Sequence, residues 1–211
     1  MNSRIDHIVI GTDNLDSGTK ILETKLNTKF SLGGEHKVMG THNKLLKLQS
    51  NIYLEVIANN SNVSKPSRQR WFSLDESSIK EKIEKSPRLL CWVLEVDNIE
   101  DTVEKCGYNP GEIIQLSRDE LTWKVTVPPN GKLVESGILP VLIEWPSNQH
   151  PSKKLNNNNV FLNKLALFHP EPNKIQNIIS NLIESDLIHV SEGLAKIELN
   201  LTTQNRKVVI D

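Results

Sequence analysis

Ile5 to Ile10 is apolar and rich in β-branched residues, the composition of a strand. Asp13 or Asn14 follows as a helix cap, and Leu15, Ile21 or Leu22, and Leu26 then recur at helical spacing on one stripe. Phe30 to Gly34 reads as a short strand segment closed by a Gly-Gly turn. Asn43 to Gln49 and Ile52 to Ile57 read as a hairpin around Ser50-Asn51. The pattern then returns. A strand begins at Arg88, Asp97-Asn98-Ile99 stands where Asp13-Asn14-Leu15 stood, and Ile99, Val103 and Cys106 form a helical stripe. Ile113 to Leu116 and Leu121 to Val127 follow as strands. A turn at Pro128-Pro129-Asn130-Gly131 and a last strand, Ile138 to Trp145, complete the second pass. Laid on one another, the two passes put Cys91 in the place of His7.

The chain thus divides into a first strand-helix-strands module over residues 1–60, a polar connector over 61–87, a second module over 88–150 and a partial repeat over 151–211. Glu76 to Lys85 reads as a short charged helix inside the connector. Asn156-Asn157-Asn158-Asn159 is a low-complexity junction. Beyond it, Phe161 to Phe168, Leu187 to Val190, Leu194 to Leu201 and Lys207 to Ile210 read as strands, with an amphipathic helix over Lys174 to Ile183. Leu165 stands where His7 does, so this third pass repeats the shape and not the chemistry. The predicted class is α+β: tandem βαβββ modules cupped around a cleft, with a third, partial βαβ-type unit.

Composition changes this picture little. The 211 residues carry a formal net charge of −1, so no global field draws the chain to nucleic acid or to an anionic membrane. Two cysteines do not make a disulfide framework, no apolar run is long enough to span a bilayer, and Met1 to Arg4 leads straight into a strand. The expectation is a cytoplasmic protein whose partner is a small molecule. An unpaired sheet edge within residues 160–211 is also expected to offer a homodimer surface.

Candidate chemistry comes from side-chain alternation. In the first strand Asp6, Ile8 and Ile10 are expected on one face, and Ile5, His7 and Val9 on the other. If Ile8, Ile10, Leu54 and Val56 meet the helix, His7 and Glu55 share the cleft face. In the second module Leu90, Trp92 and Leu94 are assigned to the helix, and Cys91 and Glu144 to the cleft. A carboxylate in an apolar strand calls for a cation, a proton or a metal. His7 with Glu55 and Glu144 suits a divalent ion such as zinc, manganese, nickel or iron with open positions. Lys47 and Lys124, assigned to the same face, offer the opposing reading, in which they neutralise Glu55 and Glu144 without a metal. Asn43, Arg118 and Trp123 are the expected substrate-binding residues, with Arg118 able to clamp a carboxylate. His42 falls on the helix side by regular alternation, and a bulge would instead make it a second imidazole ligand of an iron(II) facial triad. Arg70 and Trp71 either pin the connector or form a lid.

This arrangement resembles the vicinal oxygen chelate superfamily and, within it, the glyoxalase-like domain proteins. The resemblance rests on Asp6-His7-Ile8-Val9, Gly40-Thr41-His42-Asn43, Tyr53-Leu54-Glu55-Val56-Ile57-Ala58, Arg70-Trp71-Phe72, Pro87-Arg88-Leu89-Leu90 and Leu142-Ile143-Glu144-Trp145, with His169-Pro170 extending it. It implies two βαβββ modules around a cleft that holds a divalent metal, bound by a first-strand His or Gln and a last-strand Glu from each module. His7, Glu55 and Glu144 match that set, and Cys91 departs from it. Two functions follow. One is metal-dependent lyase, isomerase or oxygenase chemistry on a vicinally oxygenated substrate, with Glu144 moving the proton. The other is metal-free binding or sequestration of a small molecule.

Overall fold

The structure, a computed structural model, describes residues 3–146, 149–204 and 206–211. Among them, two sheets account for the strands. The larger has eight strands: β1 (Ser3–Gly11), β2 (Ser31–His36), β3 (Thr41–Lys47), β4 (Tyr53–Asn59), β5 (Arg88–Val96), β6 (Glu112–Arg118), β7 (Leu121–Val127) and β8 (Val141–Glu144). Their spatial order is β2-β3-β4-β1-β5-β8-β7-β6, so the two modules mirror one another across the central β1–β5 pair. β1 runs parallel to β4 and antiparallel to β5, and β5 runs parallel to β8. The sheet curls until its edge strands β2 and β6 approach each other, which makes the cup.

Helices α1 (Leu15–Leu26) and α3 (Ile99–Lys105) open on the repeated Asp-Asn pair. Asn14 accepts hydrogen bonds from the amides of Asp16 (3.1 Å) and Ser17 (3.0 Å), and Asn98 accepts one from Asp101 (2.9 Å). α2 (Ser77–Lys85) lies in the connector. The second sheet comprises β9 (Phe161–His169), β10 (Ile188–Glu192), β11 (Lys196–Thr202) and β12 (Lys207–Ile210), in the order β10-β9-β11-β12, with α4 (Pro172–Leu182) crossing between β9 and β10. β10 is parallel to β9, as a βαβ crossover requires. In the first module, by contrast, the strand after the helix pairs with β3 and not with β1. The third unit is therefore a different topology and not a worn copy of the first two.

Two apolar clusters occupy opposite faces of the large sheet. The outer one joins Ile8, Ile10, Leu54, Val56, Trp92, Leu94 and Leu142 to α1, and to Leu165, Leu167, Leu199 and Ile175 of the third unit. The inner one lines the cup: Val9, Ile57, Cys91, Val93, Trp123, Val125 and Ile143, closed over by Trp71, Phe72 and Leu74 from the connector. Several segments are shorter or differently placed than their apolar patterns predict. Gly33-Gly34 lies inside β2 and not in a turn. The last strand of the second module begins at Val141 and not at Ile138: Pro140, which has no N–H for a ladder, stands directly before it, and a turn with left-handed Glu135 and Ser136 lies further ahead.

Candidate functional site

Two β-bulges decide what the cup contains. Along the β1–β5 ladder Ile5 pairs with Leu94 and His7 with Val93, leaving Asp6 as an extra residue. A bulge turns two successive side chains to one face. Asp6 consequently joins His7 on the cleft side, while Ile5 goes to the outer core, the reverse of regular alternation. A second bulge makes Leu90 the extra residue between the Val9–Cys91 and Ile10–Leu89 pairs. That places Leu90 with Cys91 in the inner cluster, where alternation assigned it to the helices.

His7 and Glu55 meet as the shared face requires. His7 Nε2 lies 3.4 Å from Glu55 Oε2, and its Nδ1 contacts Asp6 Oδ1. Burial alone would push the imidazole pKa down, but hydrogen bonds to Asp6 and Glu55 more than reverse this and raise it to about 9. Burial likewise works against the Glu55 carboxylate, yet its bonds to His7 and Asn43 hold it down at about 2. At neutral pH the pair is an imidazolium between carboxylates, with Tyr53 stacked on the ring at 4.7 Å. Glu55 is neutralised by His7 and by the Asn43 amide, and not by Lys47.

Asn43 and Arg118 occupy the cup together. Asn43 donates to Glu55 through Nδ2 and accepts at Oδ1 from the Gly34 amide (2.9 Å) and from Arg118 Nη1 (3.2 Å). Arg118 also reaches His36 Nε2 at 3.4 Å. Burial, reinforced by the nearby Arg118 charge, lowers the His36 pKa to about 4, so the ring is neutral and its Nε2 can accept. The Gly33-Gly34 pair makes this possible. A Cβ on Gly33 would sit 2.0 Å from Asn43 Oδ1, and one on Gly34 would sit 2.5 Å from Arg118 Cδ. Among the described residues, no carboxylate forms an ion pair with Arg118; its two side-chain partners are neutral acceptors. Trp71, Phe72, Trp123 and Trp145 wall the cavity, whose free space is about 430 Å³ and opens to solvent. The enclosed part of the cavity is about 30 Å³, so the interior is narrow. Trp71 thus forms part of the wall, while Arg70 pins the connector through Asp75 (2.8 Å).

Glu144 is not in the cup. On β8 and directly after it the inward residues are Val141, Ile143 and Trp145, and Glu144 shares the outer face with Leu142. There it accepts the Ile99 amide at the start of α3 (2.7 Å) and pairs with Lys124 (3.3 Å), which is likewise on the outer face. The ladder gives the reason. Glu55 lies opposite Val9 on β1, and the residue opposite Val93, the repeat of Val9, is Val141. The second module therefore carries an apolar residue at the place of Glu55. Cys91 is fully buried, and burial pushes its thiol up, so it is a packed core residue. His42 is half-exposed and lies outside the cup, on the side of Asp16 and Glu35.

The sequence reading passed over His36 and His150, and it assigned Asp6 to the wrong face. Asp6 accepts from Trp145 Nε1 (2.8 Å) and lies 2.9 Å from His150 Nε2, behind His7. Glu95 stands beside them, with Oε2 3.8 Å from His150 Nε2 and Oε1 2.5 Å from Arg4. Asp6, Glu95 and His150 each offer a ligand atom within 4.8 Å of the others, a buried or half-buried triad of the kind that holds a divalent ion. A signal for Asp6 was present in the sequence, since an acid inside Ile5-Asp6-His7-Ile8 needs a partner as much as Glu55 does. His150 follows the last strand of the second module, with no periodic pattern to place it.

A sequence model of the glyoxalase-like domain matches residues 5–183. The chain belongs to the glyoxalase-like family. No curated protein matches it. Among solved structures, a hypothetical protein from Staphylococcus aureus superposes over 99% of this chain and 84% of its own, with a TM-score of 0.58 and 18% identity. That likeness establishes the fold, third unit included. The methylmalonyl-CoA epimerase from Mycobacterium tuberculosis matches more loosely, over 67% of this chain and 87% of its own, with a TM-score of 0.42 and 15% identity. The ion position expected for this family is poorly furnished. His7 and Glu55 are two donors already engaged with each other, Cys91 is sealed in the core, Glu144 faces away, and the Arg118 cation stands beside Asn43. Among the described residues, no helix is long and apolar enough to cross a membrane.

Proposed function

We propose that the cup binds a small oxygenated organic acid and moves a proton on the carbon beside its carbonyl, as an isomerase or lyase does. The observation that carries this reading is Arg118, a guanidinium held by the neutral acceptors Asn43 and His36 within an aromatic wall and close to an acid–base pair. A half-buried cation that, among the described residues, has no carboxylate partner favours an anion, and a planar guanidinium matches a carboxylate. His7 and Glu55 are titratable groups whose surroundings push their pKa values far apart, which marks them as acid and base.

In this reading the substrate carboxylate docks on Arg118, and its carbonyl oxygen takes the His7 Nε2–H that now points at Glu55. Glu55 loses the partner that holds its pKa down and becomes a stronger base. It accepts the proton from the carbon while the imidazolium stabilises the forming enolate oxygen. The proton returns from Glu55 to the same or a neighbouring atom. Trp71, Trp123 and Trp145 exclude water, and the narrow cavity restricts the substrate to a small molecule. No metal takes part in these steps, because among the described residues only His7 and Glu55 stand at the family's ion position, where four ligands are expected. The role first assigned to Glu144 passes to Glu55.

The test is incubation with short 2-oxo and 2-hydroxy carboxylates in heavy water, following exchange of the proton next to the carbonyl by NMR. Exchange should occur with the wild type and stop in Glu55→Gln, which should still bind. Arg118→Met should weaken binding roughly 10- to 100-fold, the worth of a charge-assisted hydrogen bond. Unchanged exchange in Glu55→Gln, or unchanged binding in Arg118→Met, refutes the assignment. Binding without any exchange would instead identify a metal-free binding module.

A further inference from the structure

We infer that Asp6, Glu95 and His150 form a divalent transition-metal site behind the cup, at a position distinct from the one the family's ion occupies. The residues come from three segments: the bulge of β1, the end of β5, and the chain following β8. Asp6 is fully buried, His150 is nearly so, and their nearest ligand atoms, Oδ2 and Nε2, are 2.9 Å apart. Glu95 Oε2 lies 3.8 Å from the same nitrogen. An ion about 2.1 Å from each ligand sets neighbouring ligand atoms about 3.0 to 3.4 Å apart, so these spacings need only small adjustments.

Glu95 Oε2 supplies an independent reason. It is buried and, among the described residues, has no hydrogen-bond partner, although its other oxygen is taken by Arg4. A buried carboxylate oxygen left unpaired is costly unless something positive meets it. The outer contacts also suit ligation. His150 Nδ1 lies 2.7 Å from Ser152 Oγ, and that hydroxyl donates to Asn51 Oδ1 (3.2 Å). These contacts hold the ring with Nε2, the nitrogen that would ligate, turned toward Asp6 and Glu95. The Ser152 amide donates to Nδ1 at 3.3 Å and fixes the same ring orientation. Trp145 and His7 hold Asp6, and Arg4 holds Glu95, so each ligand is oriented by a second residue.

One imidazole and two carboxylates suit zinc, manganese, iron or nickel better than magnesium. The ion would take the place of the direct contact between His150 Nε2 and Asp6 Oδ2. It would not touch a ligand in the cup, whose lining includes His7 and Trp145 but neither Asp6 nor Glu95. Its work would be to tie the chain after β8 to β1 and β5 and to fix the Asp6 carboxylate on which His7 rests.

The experiment is calorimetric titration of chelator-treated full-length protein with Zn²⁺ and with Mn²⁺, paired with thermal melting in the presence and absence of each ion. One equivalent should bind and raise the melting temperature. Glu95→Gln and His150→Gln should each weaken binding more than roughly tenfold and abolish the thermal shift. Glu55→Gln, which alters the family's ion position, should bind the metal as the wild type does. Loss of binding in Glu55→Gln with retention in Glu95→Gln would place the ion in the cup and overturn the inference. Absence of binding and of any shift in the wild type would overturn it too. Glu95 is half-exposed, so Glu95→Gln remains informative if His150→Gln fails to fold.

Discussion

At the scale of the residue, His7 shows how neighbours set a charge. Its folded pKa of about 9 exceeds the 6.5 of an exposed imidazole, so the stability it contributes is complete below pH 6.5 and fades as pH climbs through 9. Glu55, at about 2 against 4.5, contributes fully above pH 4.5 and loses its contribution as pH falls toward 2. The pair therefore stabilises the fold most between about pH 4.5 and 6.5. Urea unfolding at a series of pH values should show a loss on the order of 3 kcal/mol between pH 6.5 and 9 in the wild type, from 1.36 kcal/mol per pKa unit. His7→Gln should flatten that limb; an equally steep one in the variant would mean that another group titrates. His7 and Glu55 were legible as a facing pair because both lie on strands whose apolar positions alternate. Asp6 was not, because one unpaired residue in the ladder inverts the parity of everything before it. No local pattern announces such a residue.

At the scale of the element, β8 is the instructive strand. Glu144 reads in sequence like Glu55, an acid set in an apolar strand. It differs in having the amide of Ile99 and the ammonium of Lys124 within reach on the outer face. A carboxylate at a helix N-terminus meets free N–H groups and the positive end of the helix dipole. Glu144→Gln should thus cost about 1 kcal/mol of stability by denaturant titration and leave ligand and metal binding in place. A loss of binding with unchanged stability would return Glu144 to the site. Leu142 and Glu144 share parity by simple counting, so the sequence already held this answer. Placing Leu142 outward requires Glu144 outward as well. The connector is the reverse case. Its polar stretch carries no period, yet Trp71 and Phe72 become a wall of the cup because the inner face of the curled sheet needs a cover.

At the scale of the whole molecule, the third unit is a structural partner of the first two. Its second sheet buries Leu165, Leu167, Leu199 and Leu201 in the same cluster as Ile8, Trp92 and Leu94. Leu199→Ala, at a fully buried position, should cost about 2 to 5 kcal/mol. All four tryptophans lie outside residues 151–211, and Trp71, Trp123 and Trp145 belong to the inner cluster, so fluorescence reports mainly on the cup while Trp92 faces the third unit. In the variant, fluorescence and far-ultraviolet circular dichroism should shift together in one transition. Two separated transitions would show that the units unfold independently.

The sequence alone determined the helix caps, the α+β class and the facing of His7 with Glu55. Each depends on local periodicity or on a repeat within the chain. Tertiary structure alone decided that Asp6 turns inward, that Arg118 crosses from β6 to Asn43, and that His150 returns to β1 over a separation of 144 residues. These contacts arise where a sheet bulges, where its edges curl together and where an irregular segment docks. Such events follow from the packing of the whole chain, and the pattern of any one stretch does not encode them.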